Sequence, residues 1–190
     1  MNFWESRWIH GQTGWHGSDV NEHLKTHRKV LFQEGSPKIF VPLCGKSLDM
    51  MWLSQQGASI VGVDFVKNPL NQYFKEHGLT PNSQITQGIE SLRSRNQTLF
   101  HANIFDVTLD VIEPVDAIYD RAALVALSPE LREAYVEHCF DLLKPGGTIL
   151  LITYDSPVAD DHGPPFPVRK GTVEKLFAAA DECIQLDEVH

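Results

Sequence analysis

The sequence predicts an α/β fold: a doubly wound, Rossmann-like, mostly parallel sheet with helices on both faces. Apolar runs with the length of buried strands alternate with helical segments along the chain. The first unit has a strand at residues 39–43, a turn at Gly45 and a helix capped by Ser47. A second buried strand at residues 59–63 runs directly into Asp64. Strands joined by helices in this order form right-handed crossovers and lie parallel.

The same alternation continues to the end of the chain. Further strands are predicted at residues 99–102, 116–119, 148–153 and 183–189, whereas residues 81–96 are polar and are expected to be irregular. Further helices are predicted at residues 19–31, 68–77, 129–143 and 172–180. No internal repeat or linker interrupts this series, so we expect residues 1–190 to form a single domain.

Composition and charge exclude several kinds of partner. With 190 residues, 42% of them hydrophobic, the chain can bury one full core. A net charge of -9 disfavours nucleic acid and anionic membrane surfaces as partners. No apolar run approaches the roughly 20 residues of a membrane span, and the amino terminus lacks the basic start of a secretory signal. Three widely spaced cysteines suit a reducing compartment. We therefore expect a cytoplasmic monomer that acts on a small molecule.

The turn after the first strand indicates which cofactor the fold would hold. A dinucleotide fingerprint needs three glycines and a P-loop needs a glycine where Phe40 stands, but this turn offers only Gly45. Asp64 follows Gly45 by about 20 residues, where a carboxylate accepts hydrogen bonds from a ribose hydroxyl. S-adenosylmethionine, a nucleoside without phosphates, needs only this acid and a close backbone approach at the turn that contains Leu43 and Gly45. We therefore expect S-adenosylmethionine as the cofactor.

Two later strands end at further candidate ligands. Asn103 and Ile104 follow the third strand, where the adenine would lie, and Asn103 could accept a hydrogen bond from the adenine amino group. A turn-forming Asn is an equally plain interpretation. Arg121 follows the fourth strand at the edge where ligands bind in such sheets. The alternative for Arg121 is an ion pair with Asp120 or Asp106.

Four stretches of the chain resemble thiopurine S-methyltransferases. They are Phe-Trp-Glu-Ser-Arg-Trp at 3–8 with Gly-Trp-His at 14–16, Val-Pro-Leu-Cys-Gly-Lys-Ser at 41–47, Tyr-Asp-Arg-Ala-Ala-Leu-Val at 119–125, and Gly-Pro-Pro-Phe-Pro-Val at 163–168. The resemblance spreads over nearly the whole chain. It implies S-methylation of aromatic or heterocyclic thiols, and bacterial members of the family are also associated with the methylation of selenium and tellurium compounds.

The resemblance also implies roles for particular residues. Trp8 is expected to lie against the cofactor and Trp15 against the substrate, as part of an aromatic lid formed by residues 1–16. The alternative is that these tryptophans only anchor a terminal helix. Arg121 is expected near both the cofactor and the acceptor, as the catalytic residue. Phe166 is expected to line the acceptor pocket, unless its proline-rich loop only connects two elements.

Other functions remain open at this point. Displacement at a sulfonium needs alignment in a dry pocket rather than acid–base machinery, so no nucleophile–base constellation is required. A non-catalytic module that binds S-adenosylmethionine or S-adenosylhomocysteine as a sensor is the main alternative. A nicotinamide-dependent reductase is a third possibility, which the missing glycines disfavour.

Two histidines have the spacing of metal ligands. His23 and His27 lie four residues apart on the helix predicted at 19–31. No pattern of a third ligand lies nearby in the sequence, and the pattern is not His-Glu-x-x-His. We therefore expect both histidines to be surface or packing residues, and no metal.

The carboxyl end departs from the family pattern. Sheets of this family finish with a seventh, antiparallel strand between the fifth and sixth. The sequence stops at His190, at the end of the predicted sixth strand. We expect the seventh strand to be missing, because the sequence is shortened or because the sheet ends differently.

Overall fold

The chain folds into one sheet with helices packed on it, as the alternation of strands and helices in the sequence predicts. A computed structural model describes residues 3–33, 35–156 and 163–188. The strands are β1 (Lys38–Val41), β2 (Ser59–Asp64), β3 (Asn82–Thr86), β4 (Ile89–Ser94), β5 (Gln97–His101), β6 (Val115–Arg121) and β7 (Leu143–Ile152). The helices are α1 (Phe3–Ile9), α2 (Glu22–His27), α3 (Leu48–Gln55), α4 (Lys67–Glu76), α5 (Arg132–Leu142) and α6 (Lys170–Leu176).

The strands form a seven-stranded sheet in the order β3-β4-β5-β2-β1-β6-β7. The five strands from β5 to β7 in this order are parallel to one another. Strand β4 is antiparallel to both of its neighbours, β3 and β5. The carboxyl ends of β1, β2, β5 and β6 therefore meet at one edge of the sheet. This edge, which we call the carboxyl edge, is where side chains that follow different strands come together.

Helices cover both faces of the sheet, as predicted. Ile39 and Val41 point to one face and pack in a cluster with residues of α3 and α4, such as Leu53 and Tyr73. Phe40 lies between them in β1 and packs in the cluster on the other face, which includes residues of α5. Successive strand residues face opposite sides, so one short strand contributes to both cores.

The predicted helix boundaries around the first crossover are confirmed. The Ser47 hydroxyl accepts a hydrogen bond from the Asp49 amide at 3.3 Å, which caps α3. Gly57, at a φ of 102°, follows the end of that helix. Gly78 has a φ of 63° just after α4. Glycine adopts these left-handed conformations without the penalty of a side chain.

The prediction of irregular structure at residues 81–96 is wrong. This segment forms the hairpin of β3 and β4, joined at Gln87 and Gly88, whose φ angles are 52° and 80°. Two positive φ angles in succession give a loop whose twist matches the paired strands. Most of β3 is exposed, so the strand carries no apolar alternation that the sequence could reveal.

The prediction of a strand at residues 183–189 is also wrong over its described part, residues 183–188. These residues form no strand, and Ile184 and Leu186 are exposed instead of facing a core. In the described ranges, β7 therefore has β6 as its one partner in the sheet. The sheet still contains seven strands because the hairpin of β3 and β4 adds two at the opposite edge.

No helix in the described part of the chain is long and apolar enough to cross a membrane.

Close packing around β2 generates a stability prediction. A Cβ at Gly62 would lie 2.6 Å from Leu99 Cδ2 and 2.8 Å from Cys44 Sγ. We expect Gly62→Ala to lower the free energy of unfolding by roughly 1–3 kcal/mol, because the added methyl overpacks the core. Chemical denaturation measures this change. Gly171→Ala in α6 is the matched control, since a Cβ there meets nothing within 4 Å. An equal loss in both variants would contradict the packing argument.

Candidate active site

The turn after β1 has an unusual backbone. Leu43 and Gly45 both have positive φ angles, of 44° and 50°. Between them, the Cys44 amide donates a hydrogen bond to the Val63 carbonyl at 2.9 Å, which ties the turn to β2. A positive φ is rare for a branched residue such as leucine, and strained conformations of this kind cluster at functional sites.

Asp64 joins this turn to the end of β2. Its Oδ2 atom accepts a hydrogen bond from the Gly45 amide at 2.9 Å, and its Oδ1 atom accepts one from the Val66 amide at 2.8 Å. The side chain is 6% exposed, and burial raises its pKa to about 6 although the two backbone hydrogen bonds act in the opposite direction. At neutral pH the carboxylate is ionised, and each oxygen keeps a second lone pair for a ribose hydroxyl.

Trp8 of α1 lies directly on Gly45. A Cβ at Gly45 would come 2.8 Å from Cζ2 of the indole, so the contact depends on glycine. Trp15 meets Trp8 edge to face at a centroid distance of 5.8 Å, and Trp4 meets Trp15 in the same way at 5.1 Å. These tryptophans form one cluster over the turn. The amino-terminal segment therefore covers the turn at Gly45, and its role as a lid over the cofactor stays a prediction.

Arg121 connects the end of β6 with the tryptophan cluster. Its Nη2 atom donates a hydrogen bond to the Trp15 carbonyl at 3.3 Å, and its Nη1 atom lies 3.7 Å from Asp49 Oδ2. The alternative partners considered from the sequence, Asp120 and Asp106, are wrong. Asp120 instead accepts hydrogen bonds from the Ala123 and Leu124 amides and the Tyr135 hydroxyl, as a structural residue.

Asp49 is a member of the site that the sequence did not reveal. It is 1% exposed, and its Oδ1 atom accepts a hydrogen bond from the Asn21 amide at 2.8 Å. Its Oδ2 atom accepts one from the Tyr119 hydroxyl at 2.9 Å. In the sequence, Asp49 is only an acid in the first turn of a helix, and its partners lie 28 and 70 residues away. The one available signal was its position just after the Gly45 turn.

A second strained residue lies at the same edge of the sheet. Ala122, directly after Arg121, has a φ of 86°. The neighbouring strands β1 and β6 are thus both followed by a non-glycine residue in the left-handed region. Each such residue costs roughly 1–3 kcal/mol and persists only when its surroundings hold it there.

His16 stands beside the tryptophan cluster, with its ring 6.2 Å from that of Trp8. Burial lowers the pKa of His16, and the positive charge of Lys46 and, to a smaller extent, that of Arg121 lower it further. Lys46 itself pairs with Glu76 at 2.6 Å. A neutral imidazole at pH 7 can accept a proton or a hydrogen bond next to this cluster.

The candidate adenine ligands follow β5 at the carboxyl edge. Asn103 is exposed, and its Oδ1 atom accepts a hydrogen bond from the Phe105 amide at 3.1 Å, which caps a single 3₁₀ turn. The turn-forming interpretation of Asn103 is therefore confirmed, while its contact with adenine stays a prediction. Ile104 is buried in the core on the α5 face, and its contact with the cofactor also remains a prediction.

Phe166 makes its contacts in a different part of the edge. Its amide donates a hydrogen bond to the Val125 carbonyl at 2.6 Å. Its ring packs on Gly163, where a Cβ would lie 2.3 Å from Cδ1. The Tyr154 hydroxyl donates to the Pro165 carbonyl and holds the same loop. These contacts show how the loop is fixed, and the role of Phe166 toward an acceptor remains a prediction.

A cavity opens next to Asp64. It has a volume of about 230 Å³ and is lined by Glu5, Trp8, Ile9, Val66, Lys67, Asn68 and His101. Since Val66 donates its amide to Asp64, this space adjoins the candidate ribose site. A cavity of about 270 Å³ lies at the opposite edge, among residues such as Pro37 and Asp116 at the start of β1 and β6. Its position separates it from every candidate ligand named above.

The turn at Gly45, the Asp64 carboxylate and the cavity of about 230 Å³ beside them fit S-adenosylmethionine. Asp64 offers carboxylate oxygens, and Trp8, whose close contact Gly45 permits, presents an aromatic ring, to which a sulfonium cation is attracted. The structure brings Trp8, Trp15, Gly45, Asp64 and Arg121 into one connected set of contacts. It does not join Phe166 to that set.

Several known proteins are similar to this chain in sequence. The family model described as Thiopurine S-methyltransferase matches residues 1–189. A thiopurine S-methyltransferase of Methylococcus capsulatus is 41% identical over 180 residues, which cover 94% of this chain and 81% of that protein. One of Legionella pneumophila is 38% identical over 185 residues, which cover 97% and 82%.

A solved structure shares the fold at low sequence identity. The 1,6-didemethyltoxoflavin-N1-methyltransferase of Burkholderia thailandensis, with bound S-adenosylhomocysteine, is 17% identical and has a TM-score of 0.61, covering 93% of this chain and 73% of that chain.

The contact between Trp8 and Gly45 generates a prediction for cofactor binding. We expect Gly45→Ala to displace the Trp8 indole, shift its fluorescence to longer wavelength and weaken S-adenosylhomocysteine binding by about tenfold or more. Gly78→Ala is the matched control, because Gly78 has a φ of 63° but a Cβ there meets nothing within 4 Å. Both variants carry the left-handed penalty of about 1 kcal/mol. Unchanged affinity in Gly45→Ala would show that the close approach is unimportant.

The raised pKa of Asp64 generates a prediction for pH dependence. We expect ribose hydroxyls to donate to the ionised carboxylate, so binding of S-adenosylhomocysteine should weaken as the pH falls below about 6, by at most about tenfold per pH unit. Calorimetric titrations between about pH 5 and about pH 8 measure this. Asp64→Asn should bind about tenfold more weakly or worse and remain flat over that range. A parallel pH profile in the two proteins would assign the titration to another group.

The raised pKa of Asp64 affects the stability of the fold in the opposite direction to its effect on ligand binding. The folded-state pKa lies above the ordinary value of 3.8, so the folded protein binds the proton more tightly than the unfolded chain. The contribution of Asp64 to the free energy of unfolding should therefore fall as the pH rises from about 4 to about 6.

Proposed function

Because this chain belongs to the thiopurine S-methyltransferase family and is an S-adenosylmethionine-dependent methyltransferase, we propose that it methylates the sulfur of an aromatic or heterocyclic thiol. The observation that carries the proposal is the hydrogen bond from Arg121 to the Trp15 carbonyl. It puts a fixed cation and a flat aromatic residue together at the carboxyl edge, beside the candidate cofactor site.

Residues of three elements would hold the cofactor. When bound, S-adenosylmethionine would supply its sulfonium methyl group: the acceptor sulfur would bond to the methyl carbon in line as the carbon–sulfonium bond breaks, and S-adenosylhomocysteine would leave. Asp64 would accept hydrogen bonds from the ribose, and the turn at Gly45 would allow the backbone to approach closely. Trp8, which is 8% exposed, would cover the nucleoside and exclude water. These residues bind and orient the cofactor without taking or giving a proton.

Arg121 and Trp15 would hold the acceptor. A heterocyclic thiol is a planar ring with a sulfur that ionises readily, so it needs a stacking surface and a counter-charge. The indole of Trp15 provides the first, and the guanidinium of Arg121 provides the second at any working pH. Much of the rate enhancement can then come from holding the thiolate in line with the methyl group.

Selenium and tellurium compounds are a second candidate class of acceptor. The observation that favours them is the partly exposed guanidinium of Arg121, which lies beside the Trp15 carbonyl at the carboxyl edge. Such charge attracts an anionic chalcogen compound as well as a thiolate. The two acceptor classes differ in their need for the flat surface of Trp15.

The experiment is mass-spectrometric detection of methyl transfer to 6-mercaptopurine. We expect product from the unaltered protein, and a rate lower by about 10- to 100-fold in Arg121→Ala, because a charge-assisted contact with the thiolate is lost. Arg121→Lys should recover part of the rate. Arg93→Ala is the control for a removed arginine, since Arg93 is exposed on β4.

Binding of S-adenosylhomocysteine is measured in parallel, which distinguishes a loss of cofactor binding from a loss of acceptor binding. No product from a protein that still binds S-adenosylhomocysteine would overturn the thiol proposal, and selenite and tellurite would be tested next. Equal rates in Arg121→Ala and the unaltered protein would overturn the role of Arg121.

A further inference from the structure

A cluster of possible metal ligands lies away from the methyltransferase site, where α2 meets the carboxyl-terminal segment. His23 Nδ1 lies 3.2 Å from Asp187 Oδ2, and His27 Nε2 lies 3.7 Å from the same oxygen. The three ligand atoms all lie within 4.8 Å of one another. We propose that His23, His27 and Asp187 form a zinc-binding site.

The spacing of the three atoms suits a tetrahedral ion. Bonds of about 2.0–2.1 Å to nitrogen and oxygen place neighbouring ligand atoms of a tetrahedral zinc site about 3.3 Å apart. The two separations from Asp187 Oδ2, 3.2 Å to His23 and 3.7 Å to His27, lie close to this value. Two imidazoles and one carboxylate leave a fourth position for water, as in other zinc sites with this set of ligands.

One ring nitrogen of His27 lacks the hydrogen-bond partner that a buried polar atom needs. Its Nε2 atom is buried and has no hydrogen-bond partner, since Asp187 lies beyond hydrogen-bond distance. His23 is hydrogen-bonded to Asp187 at 3.2 Å, whereas His27 reaches the same oxygen only as an ion pair at 3.7 Å. Buried polar atoms are rarely left without a partner. An ion bound to all three side chains satisfies both imidazoles at once.

The candidate third ligand comes from a distant part of the chain. His23 and His27 lie one helical turn apart, and the sequence near them shows no pattern of a third ligand. Asp187 stands 164 residues after His23 and reaches it only because the chain returns to α2. The expectation that both histidines are plain surface or packing residues is replaced by this proposal.

Zinc at this position would fasten the carboxyl-terminal segment to α2. The cap of α2 is Asn21, whose side chain accepts from the Leu24 amide and whose own amide donates to Asp49. The ion would thus stabilise the helix that leads from the tryptophan cluster to β1. This role is independent of the acceptor that the enzyme methylates.

The test is titration of the purified, metal-free chain with ZnCl₂ by calorimetry, and with CoCl₂ by visible absorption as a report on tetrahedral coordination. We expect one equivalent of zinc to bind. His23→Gln and Asp187→Asn should each weaken binding by about tenfold or more. The matched controls are His10→Gln, an exposed histidine after α1, and Glu188→Gln, the carboxylate next to Asp187. Both should bind zinc like the unaltered protein.

Thermal unfolding provides a second readout. One equivalent of zinc should raise the melting temperature of the unaltered protein, EDTA should reverse the rise, and Asp187→Asn should show none. Circular dichroism checks that each variant is folded. Failure of the folded, unaltered protein to bind zinc, or equal binding by the ligand and control variants, would overturn the proposal.

Discussion

The buried carboxylate of Asp49 is the interaction on which the arrangement of this site depends. A carboxylate that is almost fully removed from water must be hydrogen-bonded or paired. Asp49 accepts from the Asn21 amide and the Tyr119 hydroxyl and lies beside Arg121. It therefore connects the segment before α2, helix α3 and strand β6. Arg121 in turn holds the Trp15 carbonyl, so the position of the tryptophan cluster follows from this one side chain.

Strained backbone and a buried hydrogen bond also lie at the carboxyl edge. Leu43 and Ala122 hold left-handed conformations directly after the neighbouring strands β1 and β6. The hydrogen bond between Asp64 and the Gly45 amide locks the first of these turns against β2. Rigid turns at the ends of parallel strands are well suited to methyl transfer, because this reaction relies on alignment more than on acid–base catalysis. Asp120 also lies at this edge, but its carboxylate is held by the Ala123 amide and the Tyr135 hydroxyl, so it is a structural residue rather than an acid or base.

Much of the fold could be predicted because its signals are local. The buried strand β1 and the Ser47 cap are each read from a few consecutive residues, and both are confirmed. The two failures have one cause. Strand β3 is exposed and carries no apolar alternation, while Ile184 and Leu186 are apolar but find no strand to pair with. Pairing with a neighbour decides whether such segments become strands, and a single segment does not contain that information.

By itself, the sequence determined the local chemistry of this protein: a glycine turn, an acid at the end of the second strand, an arginine at the end of another and tryptophans near the amino terminus. Only the tertiary structure decided which of these groups meet. It paired Arg121 with Asp49, placed Trp8 on Gly45 and brought Asp187 to His23. These contacts join residues far apart in the chain, and their geometry depends on how the strands and helices pack. Residue types and short spacings specify the elements, whereas long-range contacts arise only when those elements bury their apolar faces together.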